Sequence, residues 1–354
     1  MNTLFFKEIL LLWYQSHKRD LPWRDNPTPY HIWISEIILQ QTRINQGINY
    51  YNRFIEKYPD CASLASASEE EVLKLWQGLG YYSRARNLHA ASQQIQNEFG
   101  GVFPSDFQTL KKLKGIGEYT AAAIASIAFN EPIASIDGNV YRVLSRIFAI
   151  DIPINSAEGK KYFQNLASQL IDPLNPGDFN QAVMEFGALQ CTPSNPDCTV
   201  CPLMNGCLAY QNESIKSYPV KIRCQKVRDR FFNYLIIKKG PSIYFHKRVD
   251  NDIWKNLYDF PLIETTAEEH PREFILSEEW KNFFHHKKIK LTGFSEGLTH
   301  QLSHQRIHVR FYHVKINFEL NLGSSFILIN KKDIFELPVP TVIERYLTKT
   351  DLDD

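Results

Sequence analysis

Cys191, Cys198, Cys201 and Cys207 follow the spacing C-x6-C-x2-C-x5-C. Four thiolates held that closely bind zinc or a [4Fe–4S] cluster, and ligand count alone does not separate the two. Pro193, Pro196 and Pro202 keep the segment a loop that can wrap one centre, while Cys61 and Cys224 stand apart as ordinary thiols. Upstream, Leu113-Lys114-Gly115-Ile116-Gly117-Glu118-Tyr119-Thr120-Ala121 places two glycines between helical segments. Glycine lets a backbone approach a phosphate closely, and the N–H groups opening the next helix meet its charge. A plain helix–helix turn uses the same residues. Asp137, in Ile136-Asp137-Gly138-Asn139-Val140, precedes a helical stretch. An aspartate there is an N-cap, and the dipole and N–H groups would also hold it ionised, the state that stabilises a developing cation. Glu36, Gln40 and Arg43 fall at i, i+4, i+7 along a mainly apolar pattern. That stripe is either a solvated face or the lining of a cleft, where semi-apolar surroundings would raise a carboxyl's pKa and suit it to general-acid work.

The elements that must position these groups divide by character. A chain of 354 residues predicts two domains plus a connector. With 44% hydrophobic and 22% charged residues it reads as ordinary globular protein, and a net charge of +1 leaves any nucleic-acid partner to local patches. The longest apolar run, Ala121 to Phe129, falls far short of the roughly 20 residues needed to cross a bilayer. The N-terminus lacks a basic flank, apolar stretch and cleavage site, and the cysteine usage suits a reducing compartment, so a cytosolic location is expected. From Leu4 to about Leu189 apolar residues recur at helical spacing, broken by Asp25-Asn26-Pro27, Tyr58-Pro59-Asp60, Phe99-Gly100-Gly101, Asn130-Glu131-Pro132 and Asp172 to Gly177. Eight to ten short helices are predicted. Past the cysteines, Lys221, Arg223, Lys226, Arg228 and Arg230 mark a basic connector, either a solvated linker or a strip facing phosphates. Alternating runs follow, with strands predicted over 232–237, 242–246, 307–316 and 324–329 and a helix over 340–347, an α+β pattern.

In this order, the glycine hairpin, the aspartate after it and the four-cysteine loop resemble the helix-hairpin-helix DNA glycosylase superfamily. Within it the chain resembles the adenine DNA glycosylases of the MutY type. Arg19-Asp20-Leu21-Pro22-Trp23-Arg24, Ser35-Glu36 with Gln40-Gln41-Thr42, Gly78-Leu79-Gly80-Tyr81-Tyr82-Ser83-Arg84-Ala85-Arg86-Asn87-Leu88, the hairpin, Asp137-Gly138-Asn139-Val140 and the cysteine loop carry the resemblance over residues 5–230. It implies an all-α helix-hairpin-helix glycosylase region at 1–216 with the iron–sulfur loop at 191–207, a basic linker at 217–230, and an α+β Nudix-like lesion-recognition domain at 231–354. It also implies a [4Fe–4S] cluster on Cys191, Cys198, Cys201 and Cys207. The partner would be double-stranded DNA containing adenine opposite 8-oxoguanine or guanine. The enzyme is expected to be a monomer with no membrane partner, cytoplasmic in a bacterial-type cell and nucleoid-associated when bound.

By the same resemblance Glu36 protonates the flipped adenine at N7, Asp137 stabilises the oxocarbenium-like sugar with or without a transient covalent bond, and Glu36 then assists water. Tyr119 and Asn139 position Asp137 and the sugar, Arg19, Trp23 and Leu39 lie by the adenine pocket, Gln41 and Tyr81 enter the duplex, and Gly115 and Gly117 meet the DNA backbone. Relatives resembling endonuclease III carry lysine where Tyr119 stands, and its amine forms the Schiff base needed for strand cleavage. Base removal without an efficient lyase step is therefore expected. Leu298-Thr299-His300-Gln301-Leu302-Ser303-His304 resembles the lesion-reading loop, usually written with Phe at the position of Leu302; Ser303 and His304 would bond to 8-oxoguanine. Trp254 to Pro261 fits a Nudix-like domain, but Arg272-Glu273 and Glu278-Glu279 are two residues too far apart for its hydrolase motif, so no pyrophosphatase activity is expected. Two rival readings are a bifunctional endonuclease III-like glycosylase/lyase and a non-catalytic iron–sulfur DNA-binding protein.

Overall fold

The computed structural model describes residues 3–222 and 227–350, so Arg223, Cys224 and Lys226 of the basic connector lie outside the described residues. The chain divides into two units, one of residues 1–66 with 87–223 and one of 67–86 with 224–354.

Among the described residues twelve helices lie between Thr3 and Leu189, more than the eight to ten expected. Pro22–Asp25 and Phe107–Leu110 are four-residue turns too short to leave a periodic pattern. The helix Pro29–Leu39 starts where Pro29 follows Thr28, whose hydroxyl accepts from the His31 N–H. Its Ile32, Trp33, Ile34, Ile37 and Ile38 are buried, and it packs on Glu118–Phe129, whose alanines 121–123 and 125 are buried and allow close approach. The expected Glu36–Gln40–Arg43 stripe does not form. Gln41 adopts φ 59°, the helix ends at Leu39, and Arg43 caps the next helix, Ile44–Lys57. A left-handed residue cannot continue a right-handed helix. Helices Gly138–Ile147 and Pro176–Leu189 pack so closely that a Cβ on Gly187 would lie 2.6 Å from Asn139 Cβ.

Among the described residues of the second unit eight strands form one sheet: β1 Arg228–Lys239, β2 Ser242–Lys247, β3 Tyr258–Asp259, β4 Leu262–Thr265, β5 Lys290–Phe294, β6 Leu298–Gln301, β7 Gln305–Lys315 and β8 Phe326–Asn330. The main path runs β3-β2-β1-β7-β5, with β1 parallel to β7 and Tyr234 opposite Phe311. The polar alternation expected of the strands fails at β1. Phe232, Tyr234 and Ile236 enter one apolar cluster with Ile343 of the helix Thr341–Lys349, while Leu235 and Ile237 enter another with Phe274 and Trp280. Both faces are covered, so the period of two separates two cores rather than core from water.

Candidate active site

Leu113 to Gly117 turns between the helices Phe107–Leu110 and Glu118–Phe129. Gly115 adopts φ 75°, and a Cβ there would fall 2.5 Å from Asn87 Cβ, so the turn needs glycine twice over. Gly117 caps the second helix in extended conformation, and both glycines are exposed. The hairpin therefore presents helix-opening N–H groups to solvent.

Behind it lies a cavity of about 810 Å3. It gathers eight of the residues singled out from the sequence: Arg19, Trp23, Glu36, Leu39, Gln41, Tyr119, Asp137 and Asn139. Glu36 comes from the apolar helix Pro29–Leu39, Tyr119 from the first turn after the hairpin, and Asp137 from the N-cap of Gly138–Ile147. Burial pushes the Glu36 carboxyl up to about 7; a hydrogen bond with Tyr119 opposes the rise and the neighbouring Asp137 adds to it. The Tyr119 hydroxyl lies 3.3 Å from Met184 Sδ, an alternative acceptor for its one proton, and burial, with the two carboxyls beside it, holds the phenol neutral, well above its ordinary range. Asp137 Oδ1 accepts from the N–H groups of Asn139 and Val140 at 2.8 Å each, and Oδ2 accepts from Asn139 Nδ2 at 2.6 Å. Burial nevertheless raises Asp137 above its ordinary value, against these donors and Arg142. Burial thus opposes the ionised state expected from the sequence; its three N–H donors still make Asp137 the better-supported anion of the two by geometry.

The same cavity is lined by a carboxylate that sequence reading passed over. Glu185, buried in the helix Pro176–Leu189, accepts from Arg19 Nε at 2.8 Å, Arg19 Nη2 at 2.9 Å and Arg24 Nη2 at 3.1 Å. Burial alone would raise it, but the two guanidiniums take it down to about 2. The signal was present: a lone acid inside Ala182-Val183-Met184-Glu185-Phe186 must find a cation. Trp23 lines the cavity with its ring edge-to-face on Tyr51 at 5.2 Å. Arg142 was also missed. Its guanidinium donates to Asn139 Oδ1 at 2.8 Å, to the Gly187 carbonyl at 2.7 Å and to the Cys191 carbonyl at 2.8 Å, tying the Asp137 cap to the start of the cysteine loop.

Cys191, Cys198, Cys201 and Cys207 line a second, small cavity with Ile147, Phe186 and Leu203. Arg146 Nη1 lies 3.4 Å from Cys191 Sγ, and burial pushes the Cys201 thiol up to about 11. Among the described residues no three Cys, His, Asp or Glu side chains converge tightly enough to hold a single metal ion.

Tyr81, Ser303 and His304 belong to the second unit. Tyr81 adopts φ 49°, is exposed, and its hydroxyl is hydrogen-bonded to Ser303 Oγ. Ser303 and His304 form the turn between β6 and β7, while Leu302 packs back on the sheet's core cluster. Arg272-Glu273 and Glu278-Glu279 sit on separate short helices, Pro271–Phe274 and Glu278–Phe283.

A helical unit with a hairpin, a carboxylate-lined cavity and a four-cysteine loop is the architecture of a base-excision glycosylase. A family model described as the HhH-GPD superfamily base excision DNA repair protein matches residues 34–171, and one described as the NUDIX domain matches residues 233–349. The adenine DNA glycosylase of Buchnera aphidicola subsp. Schizaphis graminum (strain Sg) is 35% identical over 98% of this chain and 99% of its own length. That of Homo sapiens is 47% identical over 58% of this chain and 39% of its length. The solved structure of a thermostable thymine-DNA glycosylase matches with TM-score 0.56 and 30% identity, covering 59% of this chain and 97% of that one. The chain belongs to the adenine DNA glycosylases, enzymes that hydrolyse an N-glycosidic bond. Among the described residues no helix is long and apolar enough to cross a membrane.

Proposed function

We propose that this enzyme removes adenine paired with 8-oxoguanine or guanine in duplex DNA, and that it does so without cutting the strand. The observation that carries the reading is the pairing of two unlike carboxyls in one cavity: Glu36, lifted to about 7 by burial, and Asp137, held by three N–H donors. An acid with a pKa near 7 keeps its proton on a large fraction of molecules at neutral pH, so Glu36 can protonate the extruded purine at N7 and the base leaves neutral. Asp137, ionised, faces the oxocarbenium-like sugar, and Asn139 keeps its second oxygen oriented. Glu36, now a carboxylate accepting from Tyr119, draws the proton from the incoming water. Trp23, Leu39 and Arg19 wall the purine, and Gln41 with Tyr81 fills the gap left in the stack. Gly115 and Gly117 take the phosphate backbone, with Ser303 and His304 reading the opposite base.

Tyr119 supplies no amine, which favours a monofunctional enzyme over the glycosylase/lyase reading; failure to trap the protein on abasic DNA with borohydride is the corresponding result. The four thiols fit a [4Fe–4S] cluster: all are soft donors lining one cavity with the apolar Ile147, Phe186 and Leu203. When bound, the cluster would cross-link the loop 191–207. We also assign 1–216 to the glycosylase domain, 217–230 to the linker and 231–354 to lesion recognition, in a monomer acting in the cytoplasm. The test is single-turnover excision on duplexes that differ only in the base opposite adenine. Release of adenine, fastest opposite 8-oxoguanine, supports the reading; equal rates opposite thymine overturn it.

A further inference from the structure

We propose that residues 67–86 are a specificity strap, with Gln77 as the positioning residue that holds Tyr81 against the turn carrying Ser303. The inference rests on the reading of Ser303 and His304 as the residues that sense the opposite base, and it differs from the 1–216 domain assignment in grouping 67–86 with them. The chain leaves the helical unit after Ser66, runs through the second unit, and re-enters at Asn87. The strap is fastened along its length. Glu70, on the helix Glu69–Trp76, accepts from Lys247 and from the Tyr258 hydroxyl at 3.1 Å each. Gln77, which caps that helix, uses both ends of its amide: Nε2 donates to Glu344 Oε1 at 2.8 Å and Oε1 accepts from the Val339 N–H at 3.2 Å. Tyr82 donates to the Val339 carbonyl at 3.3 Å.

Between these anchors the chain must turn within four residues. Gly78 and Gly80 adopt φ 93° and 73°, and Tyr81 follows at φ 49°. An L residue in the left-handed region is strained and persists only where its surroundings over-determine it. Here the Gly80 carbonyl is held by Trp76 Nε1 at 3.1 Å and Arg84 Nη2 at 3.2 Å, and the Arg84 guanidinium lies over both the Trp76 and Tyr81 rings. The tyrosine is thereby projected outward, half exposed, with its hydroxyl on Ser303. Gln77 immediately precedes this turn and is the point at which it is tied to the helix Thr341–Lys349. Loosening that tie frees the Tyr81–Ser303 pair without touching the catalytic cavity.

A swap cycle tests this. Gln77→Glu sets a carboxylate against Glu344; Glu344→Gln added to it restores an amide–carboxylate pair with the roles exchanged. The readouts are single-turnover excision opposite 8-oxoguanine and opposite guanine with enzyme in excess, duplex affinity, and thermal unfolding. We expect Gln77→Glu to lose about tenfold of the preference between the two duplexes, mainly through affinity, and the double variant to return within about twofold of wild type. Unfolding midpoints that stay level across the set separate positioning from a general loss of structure. A wild type that discriminates beside a Gln77→Glu variant that discriminates equally overturns the strap alone, as does a double variant with no recovery. A wild type with no preference overturns the reading of Ser303 and His304 and the strap with it.

Discussion

The two walls of the 810 Å3 cavity hold the same functional group in opposite states. On one, Glu36 meets a neutral tyrosine and another carboxyl, and burial lifts it to about 7. On the other, Glu185 is also buried, yet Arg19 and Arg24 bring it down to about 2. Arg24 also acts on Glu36, but without a hydrogen bond to it, and burial outweighs that pull; a buried acid bonded directly to guanidiniums becomes a structural anion instead. That difference is what supports the proposed general-acid role of Glu36, with Glu185 holding the shape of the cavity.

The comparison breaks most sharply at Glu36. Glu36→Gln should slow single-turnover excision by about a thousandfold or more while the mispaired duplex still binds, because only the proton is removed. Wild-type rates from that variant would return Glu36 to the status of Glu185. Asp137→Asn is expected to cost about a hundredfold or more in the same assay with little change in unfolding temperature, since asparagine caps a helix about as well as aspartate and only the charge is lost.

The remaining tests sharpen the contrast through pH. Glu36 has a folded-state pKa of about 7 against 4.5 unfolded, so the folded protein binds the extra proton between those values and its stability falls as pH rises through that window. The fall should reach at most about 3 kcal/mol by denaturant titration and vanish in Glu36→Gln, and excision should decline above about pH 7 as the acid loses its proton. Glu185 has the reverse sign. Its stabilisation is present above pH 4.5 and is lost as pH falls towards about 2. Glu185→Gln should therefore destabilise by about 2 kcal/mol at pH 7, the partly exposed Arg19 limiting the effect, and by progressively less in acid. An equal penalty at pH 3 and pH 7 would show that the carboxylate's charge is not what holds the arginines.

Much of the helical unit's candidate machinery was legible in the sequence because its residues sit at places with local rules. Gly115 and Asp137 are a turn and a cap, and the four cysteines announce themselves by spacing. The Glu36 stripe misled for the same reason: periodicity continues through Gln41, whose left-handed backbone is fixed by tertiary surroundings that no local window contains. Glu185 was hidden because its partners lie 161 and 166 residues away. β1 looked half-buried until the second apolar cluster supplied a cover for its other face. The detour of 67–86 left no trace in composition at all, being a matter of which unit those side chains touch.

That detour has a consequence for how the molecule is made. Gln77 meets Glu344 across 267 positions of chain. At a ribosomal pace of 5–20 residues per second, the helix Glu69–Trp76 waits roughly 13–53 s for its tie to be synthesised, with Val72, Leu73 and Trp76 destined for burial. The nascent protein therefore passes through a stage in which its amino-terminal portion has emerged but cannot finish folding. A chaperone that shelters this interval, or a slow codon run that prolongs it, would act on yield without altering the finished enzyme.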